Sequence, residues 1–167
     1  FEAMLRNTNH LELLTHMTDY CHKQAENVNK ILFQVCPIAA IWMRQREIDA
    51  LLWCYGDFVL LFKRSFPNIW PIWIQFNTSP NPSRWLCYFM CAIIIAGFDQ
   101  LTLLPDVRIN TLMKAFPQIL ANMSIQKIGQ IALWLHEKVP LDPVVMKDDE
   151  NIDTEFEFFK TEWSKRK

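Results

Sequence analysis

From Trp85 to Phe98 the chain carries no charged residue, and Arg84 and Asp99 close the run at either end. The run is shorter than the ~20 residues that a helix needs to span a bilayer. It is also apolar nearly all round, so it has no face to give to water. It is expected to be a buried helix sandwiched between others, a central layer around which the remaining chain must wrap. Three glycines, Gly56, Gly97 and Gly129, are too few for a turn-rich β fold, and the 9 prolines fall mostly between periodic segments. The expected fold class is all-α, a layered helical sandwich.

Leu11, Leu14, Tyr20, Ala25, Val28, Ile31, Leu32 and Val35 recur at three- and four-residue steps until Pro37, which predicts a long amphipathic helix. A second helix is expected from near Arg44 to Phe66, burying Leu51, Leu52, Tyr55, Phe58, Val59 and Phe62 and ending at Pro67. Ile69 to Phe76 is rich in β-type residues, and the turn cluster Asn77 to Pro82 follows it. That composition predicts one short hairpin or extended loop. Ser83 is expected to cap the central helix. After Pro105, the stretch from Asp106 to Lys138 is helical by periodicity, and Pro117 should kink or split it. Residues 1–149 read as one helical domain and residues 150–167 as an acidic, then basic, solvated tail. No charged-then-apolar leader opens the sequence, and its start at Phe1 without Met is read as that of an excised domain.

A hydrophobic fraction of 51%, with 7 Trp, 12 Phe and 7 Met, leaves apolar surface to be placed in a pocket, a groove or a dimer face. Net charge is −1, so no long-range field favours nucleic acid, and Lys165, Arg166 and Lys167 are too few to create one. Neither nucleic acid nor membrane is an expected partner of this segment. Five cysteines, an odd number set mostly in apolar helical stretches, read as reduced thiols in an intracellular protein. Cys87 and Cys91 share a helix face, but no second ligand pair stands at zinc-finger spacing. Cys21 and His22 are adjacent on a helix and point about 100° apart, so they do not form a nucleophile and base. His136 beside Glu137 lacks the spaced histidine of a metalloprotease helix, and no glycine-rich loop cradles phosphate. No catalytic residue, metal ligand or cofactor is expected.

Three segments resemble the nuclear-receptor ligand-binding domain. Leu32-Phe33-Gln34-Val35-Cys36-Pro37 is similar to the end of that family's third helix, and the signature that follows is matched by Arg46-Glu47, Ala50-Leu51, Tyr55 and Asp57. Ala92 to Asp99 resembles the eighth helix. Arg108 to Glu150 resembles the tenth and eleventh helices plus the activation helix, through Arg108, Leu112-Met113, Phe116-Pro117, Ile119 and Pro140-Leu141-Asp142. The chain is shorter than the family, with no room for its sixth, seventh and ninth helices.

The resemblance implies a transcription regulator in the nucleus, with DNA recognition lying outside this segment. It also implies an apolar small-molecule pocket, placed here at Cys21, Ala25, Val28 and Leu32, at Phe58 and Phe62, and at Ile128, Ala132 and Leu135. All nine serve equally as core residues, and bulky side chains filling that space is the alternative. A coregulator groove is implied at Lys30, Gln34, Glu47, Leu51, Met146 and Lys147. Its usual lysine and glutamate clamp is replaced by Gln34 and Lys147, with Asp148 and Asp149 where an apolar pair should follow, so corepressor contact is expected over coactivator recruitment. Glu157-Phe158-Phe159 reads either as a displaced half of an activation helix or as tail aromatics covering apolar surface. Homodimers, or heterodimers with a nuclear receptor, are implied along Leu112, Phe116, Ile119 and Met123. The competing reading is a helical adaptor whose contact surface is the aromatic stretch from Ile69 to Phe76.

Overall fold

The computed structural model describes residues 2–105 and 107–142, and every regular element among them is an α-helix. In chain order these are α1 (Glu2–Asn7), α2 (Glu12–Val35), α3 (Pro37–Gln45), α4 (Ala50–Leu60), α5 (Trp70–Thr78), α6 (Pro82–Thr102), α7 (Ile109–Ala121) and α8 (Ile125–Lys138). The apolar run lies within α6, which packs against α2, α3, α5, α7 and α8 and buries Trp85 through Ile94 without a break. At 21 residues this helix is long enough to cross a membrane, but 67% of its most apolar window is buried by the rest of the chain. It is the central layer of the packed helices.

Proline punctuates the fold by starting helices as well as ending them. Cys36, pushed out of the helical region to φ −137° by the ring that follows it, ends α2, and Pro37 opens α3 at once. Pro82 opens α6 in the same way after Asn81. Ser83 is therefore already inside the helix, where its hydroxyl donates to the Asn81 side chain at 3.0 Å instead of capping.

The expected hairpin or extended loop is the helix α5. Ile72 and Phe76 are buried while Ile74 between them is exposed, a pattern that fits a helix and not a strand. The Asn68 side chain accepts the Trp70 N–H at 3.3 Å, and Pro71 sits in the first turn. Burial of that stripe overrides the β-type composition.

The helix expected from near Arg44 to Phe66 is shorter at both ends, because α3 runs on to Gln45 and α4 begins only at Ala50 and stops at Leu60. Between them Glu47 takes a left-handed φ of 55°, and Asp49 restarts the chain by accepting the Leu51 N–H at 2.7 Å. The second, α4, ends at Leu60, because Leu61 and Phe62 both turn left-handed and direct their N–H groups to the Asp57 carbonyl. Two such residues without glycine cost about 1–2 kcal/mol each. Burial of the Phe62 ring offsets this, with Phe66, Phe76 and Phe89 packed edge-on at centroid distances of 6.1, 6.3 and 5.2 Å.

The buried face of α4 agrees with the expected one at Phe58 and departs from it elsewhere. Ala50, Trp53, Cys54, Asp57 and Phe58 point inward, whereas Leu52 and Tyr55 are exposed and Leu51 and Val59 half-buried. Leu14 is likewise exposed, beside a kink in α2 at His16. Pro117 lies inside α7, and the division from α8 comes later, where Ser124 caps α8 by accepting the Lys127 N–H at 3.4 Å. The proline leaves the Met113 carbonyl without its usual helical donor, and both residues are exposed, so water can take that place.

Candidate partner-binding groove

Val35 closes α2 and Pro37 opens α3 after a single intervening residue, so the two helices diverge from a common corner and leave a trough between them. This groove has a volume of about 480 Å³. Asn29 and Phe33 of α2 form one wall, Ala40, Ile41 and Arg44 of α3 the other, and the turn into α4 closes it with Glu47, Ile48 and Asp49. Phe33 is 64% exposed and Ile41 48% exposed, whereas Met43, Ile48 and Ala50 beneath them are buried. A trough of mixed polarity, with the cation Arg44 and the two carboxylates Glu47 and Asp49 along it, suits the apolar edge of a partner helix, whose termini carry opposite partial charges.

Of the residues assigned to a coregulator groove, Glu47 lines this trough. Lys30 and Gln34 are exposed on α2, each next in sequence to a lining residue, and Leu51 is half-buried immediately after Ala50. Met146 and Lys147 lie outside the described residues, as do Asp148, Asp149 and the aromatic pair Phe158-Phe159. The sequence reading did not single out Ile41 or Arg44. The apolar, basic-tipped face of α3 was the signal available for them.

All nine pocket candidates, Cys21, Ala25, Val28, Leu32, Phe58, Phe62, Ile128, Ala132 and Leu135, are buried members of one core. Around Phe62 the space is occupied by the rings of Phe66, Phe76 and Phe89. The residues assigned to a dimer face are placed differently from what that role requires. Leu112, Phe116 and Ile119 are buried within the chain, Phe116 edge-on to Trp53 at 5.0 Å, and half-buried Met123 reaches over Gly97 of α6. They face inward because α7 carries a single strong apolar stripe and the core takes it.

Burial raises the proton affinity of every thiol at the centre. Cys87 is pushed up to about 12, and Cys54, Cys91 and Cys21 also move upward, chiefly by desolvation. The Cys87 thiol donates to the Gln24 side chain, and the Cys91 thiol donates to the Val28 carbonyl at 3.5 Å, so both are hydrogen-bonded to α2. Cys21 is buried and His22 exposed, on different faces of α2. His136 packs its ring edge-on against Tyr88 at 5.4 Å. Among the described residues, no three His, Cys, Asp or Glu side chains stand together to hold a metal ion.

Thr8, Asn9, His10 and Gln24 are buried polar residues that the sequence reading did not single out, and His10 is the most connected of them between elements. His10 meets the Tyr20 hydroxyl at 3.1 Å and the Val59 carbonyl at 3.0 Å, tying the α1–α2 turn to α2 and α4. Burial lowers its pKa to about 4, so the ring is neutral and serves as a strut. The described residues thus form an all-α domain with one apolar core and an open groove at one corner. No family model, no curated protein and no solved structure matches the chain.

Proposed function

We propose that this chain is a ligand-binding-like domain of nuclear-receptor type that works by protein association, holding a coregulator helix in the groove between α2 and α3, in the nucleus and without enzymatic chemistry. The observation that carries this reading is the coincidence of the groove with the helices whose sequences resemble the family's third helix and the signature after it. The packed rings around Phe62 favour contact with a protein over an apolar small molecule as the means of control. Arg44 and Glu47 offer charges of both signs at the mouth, in place of the lysine and glutamate clamp that Gln34 does not supply.

Fluorescence polarisation with labelled leucine-rich amphipathic peptides tests the reading. Saturable binding is expected, and Phe33→Ala or Ile41→Glu should weaken it by about tenfold, within what one buried apolar contact contributes at an interface. No binding by any such peptide, or binding untouched by both substitutions, overturns it. The adaptor reading retains one specific support, because Trp70 is 67% and Ile74 61% exposed on α5. Partner binding lost in Trp70→Ala with Ile74→Glu, and kept in the groove variants, would establish that alternative.

A further inference from the structure

The outward face of α4 has a composition that packing among the described residues does not account for. Leu52, Tyr55, Gly56 and Val59 lie at three- and four-residue steps along one stripe, Leu52 60% and Tyr55 39% exposed. The stripe continues onto α2, where Met17 is exposed and its sulfur accepts the Tyr55 hydroxyl at 3.3 Å. Gly56 sits at its middle, and a Cβ built there meets nothing within 4 Å. A glycine inside a helix weakens that helix relative to alanine, and nothing among the described residues needs the room it leaves. A second helix crossing from outside would need it, since only a residue without a side chain lets two backbones approach closely.

The charges at the two ends of α4 identify the occupant. Glu47 and Asp49 precede the helix and Lys63 and Arg64 follow it, all four exposed. Asp49 and Lys63 stand seven positions either side of Gly56, and Leu52 and Leu60 stand four either side. A second copy of the same helix laid antiparallel across Gly56 sets each acidic end against a basic end. It also opposes the two helix dipoles and meets Leu52 with Leu60. The stripe is therefore complementary to itself under a twofold axis. We propose that this face of α4 is a self-association surface, at which two copies of the chain pair antiparallel across Gly56. It locates the homodimer that the receptor-type reading includes, on a helix other than α7; Glu47 and Asp49 also line the groove, so its test turns on Leu52, Gly56, Lys63 and Arg64, which do not.

Sedimentation of the full chain over a concentration series should show a reversible monomer–dimer equilibrium. Leu52→Arg, or Lys63→Glu with Arg64→Glu, should raise its dissociation constant by at least about tenfold, with circular dichroism showing retained helix. Gly56→Ala should also weaken the dimer although it strengthens the helix. A merely structural role for residue 56 would not produce those opposite signs. Gly56→Cys should form a cross-linked dimer under mild oxidation that the parent chain does not form. A full chain that stays monomeric at about 0.5 mM, well above the micromolar range of ordinary stable pairs, overturns the proposal, whether the face is bare or residues 143–167 cover it. A dimer indifferent to Leu52→Arg and to Gly56→Ala overturns it equally. Peptide binding in the groove is read separately, so either reading can fail without the other.

Discussion

His10 and Asp57 are both buried, and they pull the stability of the fold in opposite directions as pH changes. His10 is lowered from 6.5 to about 4 by desolvation, partly opposed by its bond to the Val59 carbonyl. As pH falls through that window the unfolded chain takes up a proton that the folded chain refuses, and stability is lost. Asp57 is raised from 3.8 to about 6 by burial, partly opposed by the Ser65 hydroxyl that donates to it. Over its own window the folded chain holds a proton that the unfolded chain lacks, so acidification stabilises. At about 1.4 kcal/mol per pKa unit the two effects are of similar size and nearly cancel. Asp57→Asn keeps a polar partner for Ser65 and removes the compensating group. Relative to the parent chain, its urea-unfolding free energy should therefore drop by on the order of 2 kcal/mol between about pH 7 and 4.5. Parallel pH profiles for the two chains would refute this. Gly97 makes a different residue-level prediction, because a Cβ there falls 2.6 Å from the Met123 methyl and 3.1 Å from the Ile119 branch. Met123 can swing aside, but Ile119 is stiff, and Gly97→Ala should cost about 1–3 kcal/mol in the same assay. Neither the His10 strut nor the crowding at Gly97 is legible in sequence, since both rest on partners far along the chain.

At the scale of elements, the run from Trp85 to Phe98 announced α6 correctly, because a segment with no polar side has only one place to go. The spacing through α2 was equally informative, and Tyr20, Ala25, Val28, Ile31 and Leu32 are buried where it put them. Around α4 the same method placed Phe58 and Phe62 inward correctly but Leu52 and Tyr55 wrongly. Nearly every residue from Ala50 to Leu60 is apolar, so periodicity alone assigns no inward side. Leu52 and Tyr55 face out because Trp53 and Phe58 claim the space near α2 and α7. In α5, β-type composition was outvoted by burial of Ile72 and Phe76. Of the kink or split expected at Pro117, the split does not occur, since its missing hydrogen bond lies on the exposed side of α7. Pro117→Ala restores that bond, and thermal unfolding should show a gain of about 1–2 kcal/mol, less than the full ~3 kcal/mol penalty of an interior proline because the unfolded chain also gains freedom. An unchanged melting temperature would mean that the helix bends around the proline at no cost.

For the molecule as a whole, the rings of Phe62, Phe66, Phe76 and Phe89 join the end of α4 to α5 and α6. Phe62→Ala should cost about 3–5 kcal/mol, the range for removing a buried aromatic ring. It should also release the positive φ at that residue and speed amide exchange throughout α5; a loss confined to residues next to position 62 would show that the cluster does not couple these elements. The sequence by itself determined that the described chain is helical, that α6 is central, and which residues of α2 face inward, because spacing and polarity depend on nearest neighbours along the chain. Only the tertiary structure decided which face of α4 stays bare, that Leu112, Phe116 and Ile119 are occupied within the core, and that α2 and α3 leave a groove between them. Those outcomes depend on which helix competes for which volume, and that competition is settled by packing between segments distant in sequence.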